Sequence, residues 1–432
     1  MKISISSNEL IVVKQKILFW ADAHSDVVCY LDSNQYDKDP YSQYDSLIAV
    51  GAEHALCVET AGTAFDQLKS FAKKHKKWLF GHLSYDLKNE VEELRSENKD
   101  VLDFPELYFF IPSYLFLFHK NGTLEIKSER ETTALLWEQI QGVVCSSKVA
   151  VPPINLKQVI SKEQYLEIIE QVQQHIVDGD IYEMNFCQEF FSRAVELDPL
   201  SLFEKMNRIA KAPYSVYYKR GAQYLLCGSP ERFLCKRANK LISQPIKGTI
   251  QRGASPEEDL RNKNSLKNSI KDQAENVMIV DLVRNDLARV CQTGSIQVEE
   301  LFKIYGFEKV FQMISTVTGQ LQEDKNWVDA LAVTFPMGSM TGAPKVMSMK
   351  LIEQYEQTKR GLYAGAVGYV TPDEDFDFNV VIRSLLYNRT QKYLSFQVGG
   401  AIVYDSEPLA EYEECLLKAK TMLEALGTAK KY

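Results

Sequence analysis

The alternation of apolar and polar positions divides the chain into a β-rich first third and a mixed remainder. Short β-rich runs separated by turns are predicted at residues 11–20, 27–31, 47–50, 78–83 and 107–118. Residues 146–155, which include two consecutive prolines, have the composition of a connector. The pattern therefore predicts an amino-terminal β-rich segment over residues 1–150 and a second domain over residues 155–430.

The second part begins with a helix signal. Ser161 and Gln164 form a capping-box pattern, and the helix that they open is expected to end near Gly179. Strands separated by tight turns are predicted over residues 214–249. A helix is predicted over residues 265–289, and its expected core stripe consists of Val277, Met278 and Leu282.

The carboxyl-terminal part continues to mix helices and strands. A helix with Thr341 and Pro344 at its N-terminus is predicted, and another begins after Ser406. The predicted strands are residues 363–370, 378–387 and 393–404. The last of these contains two consecutive glycines, Gly399 and Gly400, which destabilise a strand and indicate close approach of a ligand to the backbone.

Composition and charge restrict the partners. The chain has 432 residues, of which 45% are hydrophobic and 25% charged, as expected for a globular protein with a substantial core. The net charge of -8 argues against a nucleic-acid partner and against binding to an anionic membrane surface. An anionic ligand would therefore need local positive charge from a metal ion, an arginine or helix N-termini.

Other features bear on the compartment. The apolar run at residues 107–118 is too short to span a bilayer, and the first residues lack the zones of a signal peptide. The eight Cys show neither a C-x-x-C pair nor the spacing of a disulfide framework. A reduced cytoplasmic protein is expected.

The distribution of histidine restricts metal chemistry. All six His lie within the first 175 residues, so a metal ion in the second part would depend on carboxylates, which favour Mg²⁺, Ca²⁺ or Mn²⁺. Two predicted helices carry acids spaced i,i+3, namely Asp272 with Glu275 and Glu411 with Glu414. These acids either converge on one cation or belong to solvated helix faces.

Lys247 is the candidate nucleophile. It lies in the stretch Gln-Pro-Ile-Lys-Gly-Thr over residues 244–249, at the end of a predicted strand. A free lysine has a pKa near 10.4, so a nucleophilic amine needs desolvation or a neighbouring cation to lower that pKa. The alternative is a surface lysine whose apolar stem packs along the sheet.

Several stretches taken together resemble one enzyme family. They are Ser-Pro-Glu-Arg-Phe at 229–233, Pro-Ile-Lys-Gly-Thr at 245–249, the helix at 274–291, Phe-Pro-Met-Gly-Ser-Met-Thr-Gly-Ala-Pro-Lys at 335–345, and the segments 363–369, 380–384, 398–403 and 410–414. In these motifs the chain resembles the chorismate-utilising enzymes, which include the first components of anthranilate and aminodeoxychorismate synthases and the isochorismate and salicylate synthases. The resemblance is specific over residues 160–426 and looser before them.

This resemblance implies a fold and a reaction. The expected fold is α+β, with two β-rich layers packed as a sandwich and helices outside, and residues 155–430 would form the chorismate-binding catalytic domain. Lys247 would be the nucleophile and Glu231 the general acid and base, as in family members that form 4-amino-4-deoxychorismate for 4-aminobenzoate and folate synthesis.

The resemblance also implies a ligand set. Mg²⁺ would be held by Glu275 and Glu414, with Glu411 and Asp272 nearby. The residues expected to bind substrate are Gly248, Thr249, Ser339, Tyr363, Arg383, Gly399 and Gly400, and Arg383 would grip the pyruvyl carboxylate as a bidentate fork.

Two departures from the family pattern bear on the product. Gln312 stands where the family commonly has His, which favours a product that keeps the enolpyruvyl group. Glu183 stands where water-adding relatives carry Lys and amine-adding relatives often carry Gln, which counts against isochorismate formation. No Cys lies in a G-x-C-x-G elbow, so ammonia is expected from a separate glutamine amidotransferase subunit. Anthranilate formation, or a non-catalytic chorismate-binding subunit, remains the alternative.

Overall fold

The computed structural model describes residues 1–145 and 154–428. The connector predicted at residues 146–155 lies outside the described residues except for its last two positions. In the described part the helices are α1 Ser7–His24, α2 Ala64–His75, α3 Lys88–Val91, α4 Thr133–Gln141, α5 Lys162–Val177, α6 Pro199–Ala210, α7 Pro256–Lys267, α8 Ile270–Ala288, α9 Trp327–Thr334, α10 Lys345–Tyr355 and α11 Pro408–Leu426.

The strands of the described part are short to medium in length, with two long exceptions, β3 and β5. They are β1 Lys2–Ser4, β2 Val27–Asp32, β3 Tyr44–Val58, β4 Leu79–Leu83, β5 Leu107–His119, β6 Thr123–Ser128, β7 Lys157–Gln158, β8 Glu183–Ser192, β9 Tyr214–Arg220, β10 Gln223–Ser229, β11 Arg232–Arg237, β12 Lys240–Ser243, β13 Ile246–Gln251, β14 Gln297–Gly306, β15 Val310–Gln320, β16 Gly342–Ala343, β17 Ala366–Val370, β18 Phe376–Asn379, β19 Ser384–Asn388 and β20 Tyr393–Ile402. The predicted runs at 27–31, 47–50, 78–83 and 107–118 are confirmed.

These strands pair antiparallel and form two arms that share β5. The first arm runs from β5 through β3, β2, β9, β10, β19 and β20 to β8. The second runs from β5 through β4, β17, β18, β11 and β12 to β15, which also pairs with β13 and β14. Strands from both sides of the predicted boundary at residue 150 therefore pair directly, and the division into two domains stays a prediction.

Successive side chains along the strands of the first arm point alternately into two different hydrophobic cores. In β2, Val28 and Tyr30 belong to a core shared with α1, α5, α6 and α11, whereas Cys29 points into a core shared with the strands of the second arm. Phe233 and Phe378 of the second arm lie in that same core. The predicted α+β fold, with two packed β-rich layers and helices outside, is confirmed.

The β-rich run predicted at residues 11–20 is wrong, because these residues lie within helix α1. Ile17 and Ala21 are fully buried one helical turn apart, and Val13 lies one turn before them. The neighbouring Ile11 and Val12 are exposed, and their apolar side chains hid the helical period in the sequence.

The long helix predicted at residues 265–289 is two helices, α7 and α8. Ser269 separates them, and its hydroxyl accepts a hydrogen bond from the backbone N–H of Asp272 at 3.3 Å, which caps α8. The predicted core stripe is also wrong. Val277 is 41% exposed, whereas Ile279, Val280 and Val283 are buried. The acids Asp272 and Glu275 lie on the same face of α8 as the buried Ile279 and Val283.

Two boundaries in the carboxyl-terminal part also differ from the sequence prediction. The strand predicted at 378–387 is interrupted between β18 and β19, because the N–H of Val380 bonds to the carbonyl of Glu231 and that of Val381 to the carbonyl of Gly365. Helix α10 begins at Lys345 with Pro344 as its cap, and the buried Thr341 lies before it.

The capping box at Ser161 is confirmed. None of the helices in the described part is long and apolar enough to cross a membrane.

We expect Phe396→Ala to destabilise the first arm and its helices. Phe396 is fully buried and stacks on Phe190 with ring centroids 5.0 Å apart, so truncation should lower the free energy of unfolding by about 3–5 kcal/mol. Urea unfolding at 25 °C measures this loss, and Leu417→Ala, at a residue 55% exposed on α11, is the control. A loss equal to that of the control would contradict the described packing.

Candidate active site

Lys247 points into the interior from an irregular stretch of β13. The register between β13 and β15 shifts between Ile246 and Thr249, which takes Lys247 and Gly248 out of the regular ladder. Gly248 has φ +90°, and a Cβ there would lie 2.9 Å from a carboxylate oxygen of Asp272, so glycine is required. Lys247 is 9% exposed, and its Nζ donates a hydrogen bond to the carboxylate of Glu183.

The surroundings of Lys247 stabilise its ammonium form. Burial alone would lower the pKa of this amine, but the carboxylates of Glu183, Glu275 and Glu231 outweigh burial and raise the pKa above its ordinary value. The sequence-based requirement for a lowered pKa is therefore not met in the resting protein. A nucleophilic amine here needs a group that removes its proton.

Glu231 is enclosed between β10 and β11. Its backbone N–H bonds to the hydroxyl of Ser229 at 3.2 Å, and its carbonyl accepts from the N–H of Val380, which fixes the loop. Burial raises the pKa of its carboxyl to about 7, an effect that the nearby Ser339 hydroxyl and Lys247 partly offset. A carboxyl group with this pKa can hold a proton near neutral pH and deliver it.

One acid of α8 and one acid of α11 approach each other across a lysine, whereas the side chain of Glu414 is 47% exposed. The Nζ of Lys271 lies 3.9 Å from a carboxylate oxygen of Glu275 on α8 and 3.9 Å from one of Glu411 on α11. The carboxylate of Glu414 accepts from Lys418 at 2.7 Å. The hypothesis of two solvated helix faces is therefore wrong for Glu275 and Glu411, which are largely enclosed and face one another across an ammonium group.

The same contacts bear on a metal ion. The oxygen donors from α8 and α11 have the chemistry that Mg²⁺ prefers, and Lys271 already supplies a positive charge between two of them. Burial raises the pKa values of the Glu275 and Glu411 carboxyl groups, whereas the positive charge of Lys418 lowers the pKa of Glu414. Within residues 1–145 and 154–428, no three His, Cys, Asp or Glu side chains are arranged closely enough to hold a metal ion.

Arg383 is a partly buried cation close to these acids. It has φ +52°, its guanidinium donates to the carbonyl of Lys418 at 3.0 Å, and in the described chain it forms no salt bridge. Burial lowers the pKa of its guanidinium, which indicates a charge that lacks full compensation. Tyr363 is buried nearby, with its hydroxyl 3.5 Å from the sulfur of Cys187. An anionic group is the natural partner for this corner of the site.

The remaining predicted residues differ in how close they lie to the acids and in how far they are buried. A Cβ at Gly400 would lie 3.4 Å from a carboxylate oxygen of Glu411, so Gly400 borders the acids. Gly399 would meet the carbonyl of Phe186 at 1.9 Å, so packing between β20 and β8 already requires glycine there. Ser339 is buried beside Glu231, whereas the side chain of Thr249 is exposed. Thr249 is thus the one predicted substrate ligand that the described structure leaves on the surface.

Sequence reasoning missed the contacts that three charged residues make in the site. Glu183 was noted as a departure from the family pattern, but nothing in the sequence showed that it contacts Lys247. Lys271 and Lys418 were not singled out, although Lys418 follows Glu414 at i+4, which is a sequence signal for an ion pair. Lys418 also donates to the carbonyl of Gly399 at 2.9 Å and so links α11 to β20.

Comparison with known proteins identifies the family of the chain. The family described as chorismate binding enzyme matches residues 28–424. The chain belongs to this family of enzymes. The resemblance drawn from its motifs is thereby confirmed, and its acids, Arg383 and Lys247 lie in the part of the chain that matches.

Individual relatives carry two different names. The chain is 43% identical over 263 residues to the probable aminodeoxychorismate synthase, chloroplastic, of Oryza sativa subsp. japonica, covering 60% of this chain and 29% of that protein. It is 32% identical over 365 residues to aminodeoxychorismate synthase component 1 of Bacillus subtilis, covering 80% and 76%. It is also 34% identical over 350 residues to anthranilate synthase component 1 of Saccharolobus solfataricus, covering 81% and 80%.

A solved structure shares the fold. The crystal structure of anthranilate synthase component I from Streptococcus pneumoniae superposes with a TM-score of 0.78 at 25% identity, covering 89% of this chain and 93% of that one. Overall sequence identity therefore does not distinguish aminodeoxychorismate synthases from anthranilate synthases as relatives of this chain. The residues around Lys247 have to make that distinction.

We expect the carboxyl group of Glu231 to titrate near neutral pH. Because burial raises its pKa to about 7, the group stays protonated below that pH and becomes a carboxylate as the pH rises through it. Difference infrared spectroscopy of wild-type against Glu231→Gln protein isolates the carboxylate band. A midpoint near the ordinary value for glutamate, about 4.3, would contradict the described enclosure.

Proposed function

We propose that the chain is the synthase component of aminodeoxychorismate formation, which converts chorismate and ammonia to 4-amino-4-deoxychorismate. The observation that carries this proposal is the enclosed Lys247, in contact with one carboxylate and close to the protonatable Glu231. An amine held between a proton acceptor and a proton donor suits substitution of a hydroxyl group. The relatives named aminodeoxychorismate synthase support the same reaction.

The chemistry assigned to the chain has two halves. In the first, the Nζ of Lys247 forms a bond to ring carbon 2 of chorismate, the ring double bond shifts, and the bond from carbon 4 to its hydroxyl breaks. Glu231 gives a proton to the departing hydroxyl, which leaves as water. In the second half, ammonia attacks carbon 4, the bond from carbon 2 to Lys247 breaks, and the lysine amine is released.

Binding of the two carboxylates of chorismate is assigned to opposite sides of the site. Arg383 and Tyr363 would hold the pyruvyl carboxylate, since Arg383 is a partly buried cation without a salt bridge in the described chain. Glu275 and Glu414, with Asp272 and Glu411 nearby, would hold Mg²⁺. When bound, this ion supplies the positive charge that a ring carboxylate needs in an acidic site.

The identity of the product depends on Gln312. This residue is buried in β15 opposite Thr249 in the strand register. A side-chain amide neither gains nor loses a proton near neutral pH, so Gln312 cannot serve as the acid or base that pyruvate elimination requires. This favours retention of the enolpyruvyl group and hence 4-amino-4-deoxychorismate over anthranilate.

Ammonia is assigned to a separate glutamine amidotransferase subunit. The word component in the name of the Bacillus subtilis relative supports a two-subunit arrangement. The products would be expected to enter 4-aminobenzoate and folate synthesis, and a cytoplasmic location is proposed.

Incubation with chorismate, Mg²⁺ and ammonium is expected to yield 4-amino-4-deoxychorismate, identified by mass spectrometry and chromatography. Fluorescent anthranilate as the product would overturn the proposed function in favour of the related activity.

Lys247→Ala should bind chorismate but form no aminated product, because it lacks the amine that bonds to carbon 2. Equal chorismate binding by both proteins with turnover in neither would indicate a non-catalytic binding subunit.

We expect Glu275→Gln and Glu414→Gln to abolish Mg²⁺-dependent activity while the fold stays intact. Each change removes one anionic oxygen donor but preserves side-chain volume. Activity is measured as a function of Mg²⁺ concentration, and circular dichroism checks the fold. Glu413→Gln, at a neighbouring exposed position of α11, is the matched control. Mg²⁺ titrations unchanged in both site variants would refute the assignment.

A further inference from the structure

Glu183 is a buried carboxylate held rigidly beside the proposed nucleophile. It is 1% exposed, and one of its oxygens accepts the hydrogen bond from Lys247. Its backbone is fixed by pairing of β8 with Ala343 of β16 and by a hydrogen bond from the hydroxyl of Ser348 to its carbonyl at 3.1 Å. In the described part of the chain, no group hydrogen-bonds to its second oxygen, Oε2. A carboxylate with one free oxygen can accept a proton without breaking an existing contact.

The site presents a problem of proton transfer. Carboxylates from four parts of the chain act on Lys247: Glu183 of β8, Glu231 before β11, Glu275 of α8 and Glu414 of α11. These charges hold the amine as an ammonium, which has no lone pair for bond formation. An acceptor within hydrogen-bond distance must therefore take one proton before the amine can react.

The other nearby carboxylates suit this task less well. Glu231 must arrive at the reaction protonated, because it supplies the proton for the departing hydroxyl. Glu275 forms neither a hydrogen bond nor a salt bridge with Lys247 in the described structure, and its carboxylate faces Lys271 instead. Glu183 is the acceptor that is already in contact.

We propose that Glu183 is the general base that takes a proton from Lys247 and returns it at the end of the cycle. This assignment rests on the proposed function. The carboxylate of Glu183 accepts one proton from the ammonium of Lys247, and the neutral amine then bonds to carbon 2 while Glu231 protonates the hydroxyl. After ammonia attacks carbon 4, the carbon–nitrogen bond to Lys247 breaks with its electron pair returning to Nζ. The neutral amine recovers its proton from Glu183, and Glu231 is reprotonated by ammonium or solvent.

The division of tasks also accounts for the residue type at position 183. A glutamine could hold the lysine by a hydrogen bond but has no basic oxygen, and a lysine would repel the ammonium of Lys247. Glutamate both orients Lys247 and accepts its proton.

The test compares Glu183→Gln with wild-type protein in the ammonium-dependent assay. General-base catalysis contributes about 10²–10⁴-fold, so kcat should fall by at least about 100-fold, whereas KM for chorismate should change by less than about threefold. Glu183→Ala should be equally slow, and added formate should restore its kcat in proportion to formate concentration. Glu189→Gln is the matched control, since Glu189 is buried on the same face of β8 and bonds to the hydroxyl of Tyr393 at 2.9 Å.

Three outcomes distinguish the possibilities. Loss of kcat with formate rescue, and a control close to wild type, supports the assignment. A Glu183→Gln variant that keeps kcat within about tenfold of wild type, or a slow Glu183→Ala variant that formate does not rescue, overturns it while the proposed function stands. A wild-type protein that forms no aminated product overturns the proposed function itself. Circular dichroism of each variant verifies that the fold is retained.

Discussion

The enclosed ion pair between Lys247 and Glu183 is the interaction on which the rest of the site depends. A buried ammonium is costly unless opposite charges compensate it, and a buried carboxylate is costly for the same reason. Here each partner offsets the desolvation of the other. The pair also fixes the amine at one point, so that the other ionisable groups have defined positions relative to it. Removing one partner would leave an unpaired charge in the interior.

The excess of negative charge around this ion pair accounts for the lysine side chains that lie against the neighbouring acids. Glu231, Glu275, Glu411 and Glu414 converge on a region that also contains Glu183, and lysine side chains from α8 and α11 compensate part of that charge. The arrangement is suited to an anionic ligand only if further positive charge accompanies it. The acidic character of the whole chain is therefore compatible with a dianionic substrate, because the local charge, and not the net charge, determines binding.

The fold places these groups by combining both arms of the sheet with two helices. Lys247 comes from an irregular strand of the second arm, and Glu183 from the last strand of the first arm. Helices α8 and α11 belong to opposite arms, since α8 packs on β13 and β15 and α11 on β20. The site lies between the ends of the two arms that are away from the shared strand β5, because β8 ends the first arm and β13 pairs with the last strand of the second. A chain folded into either arm alone would carry only half of the charges.

The sequence by itself determined the strand alternation, the capping box at Ser161 and the motif positions of Lys247, Glu231 and the four acids, because these depend on local periodicity and on residue type. The tertiary structure alone decided the partner of Lys247, which is 64 residues away, and the side of α8 that is buried. It also decided that Ile11 and Val12 belong to a helix and that Gly399 accommodates a neighbouring strand. Such relationships depend on strand register and on packing between distant segments, which no local pattern specifies.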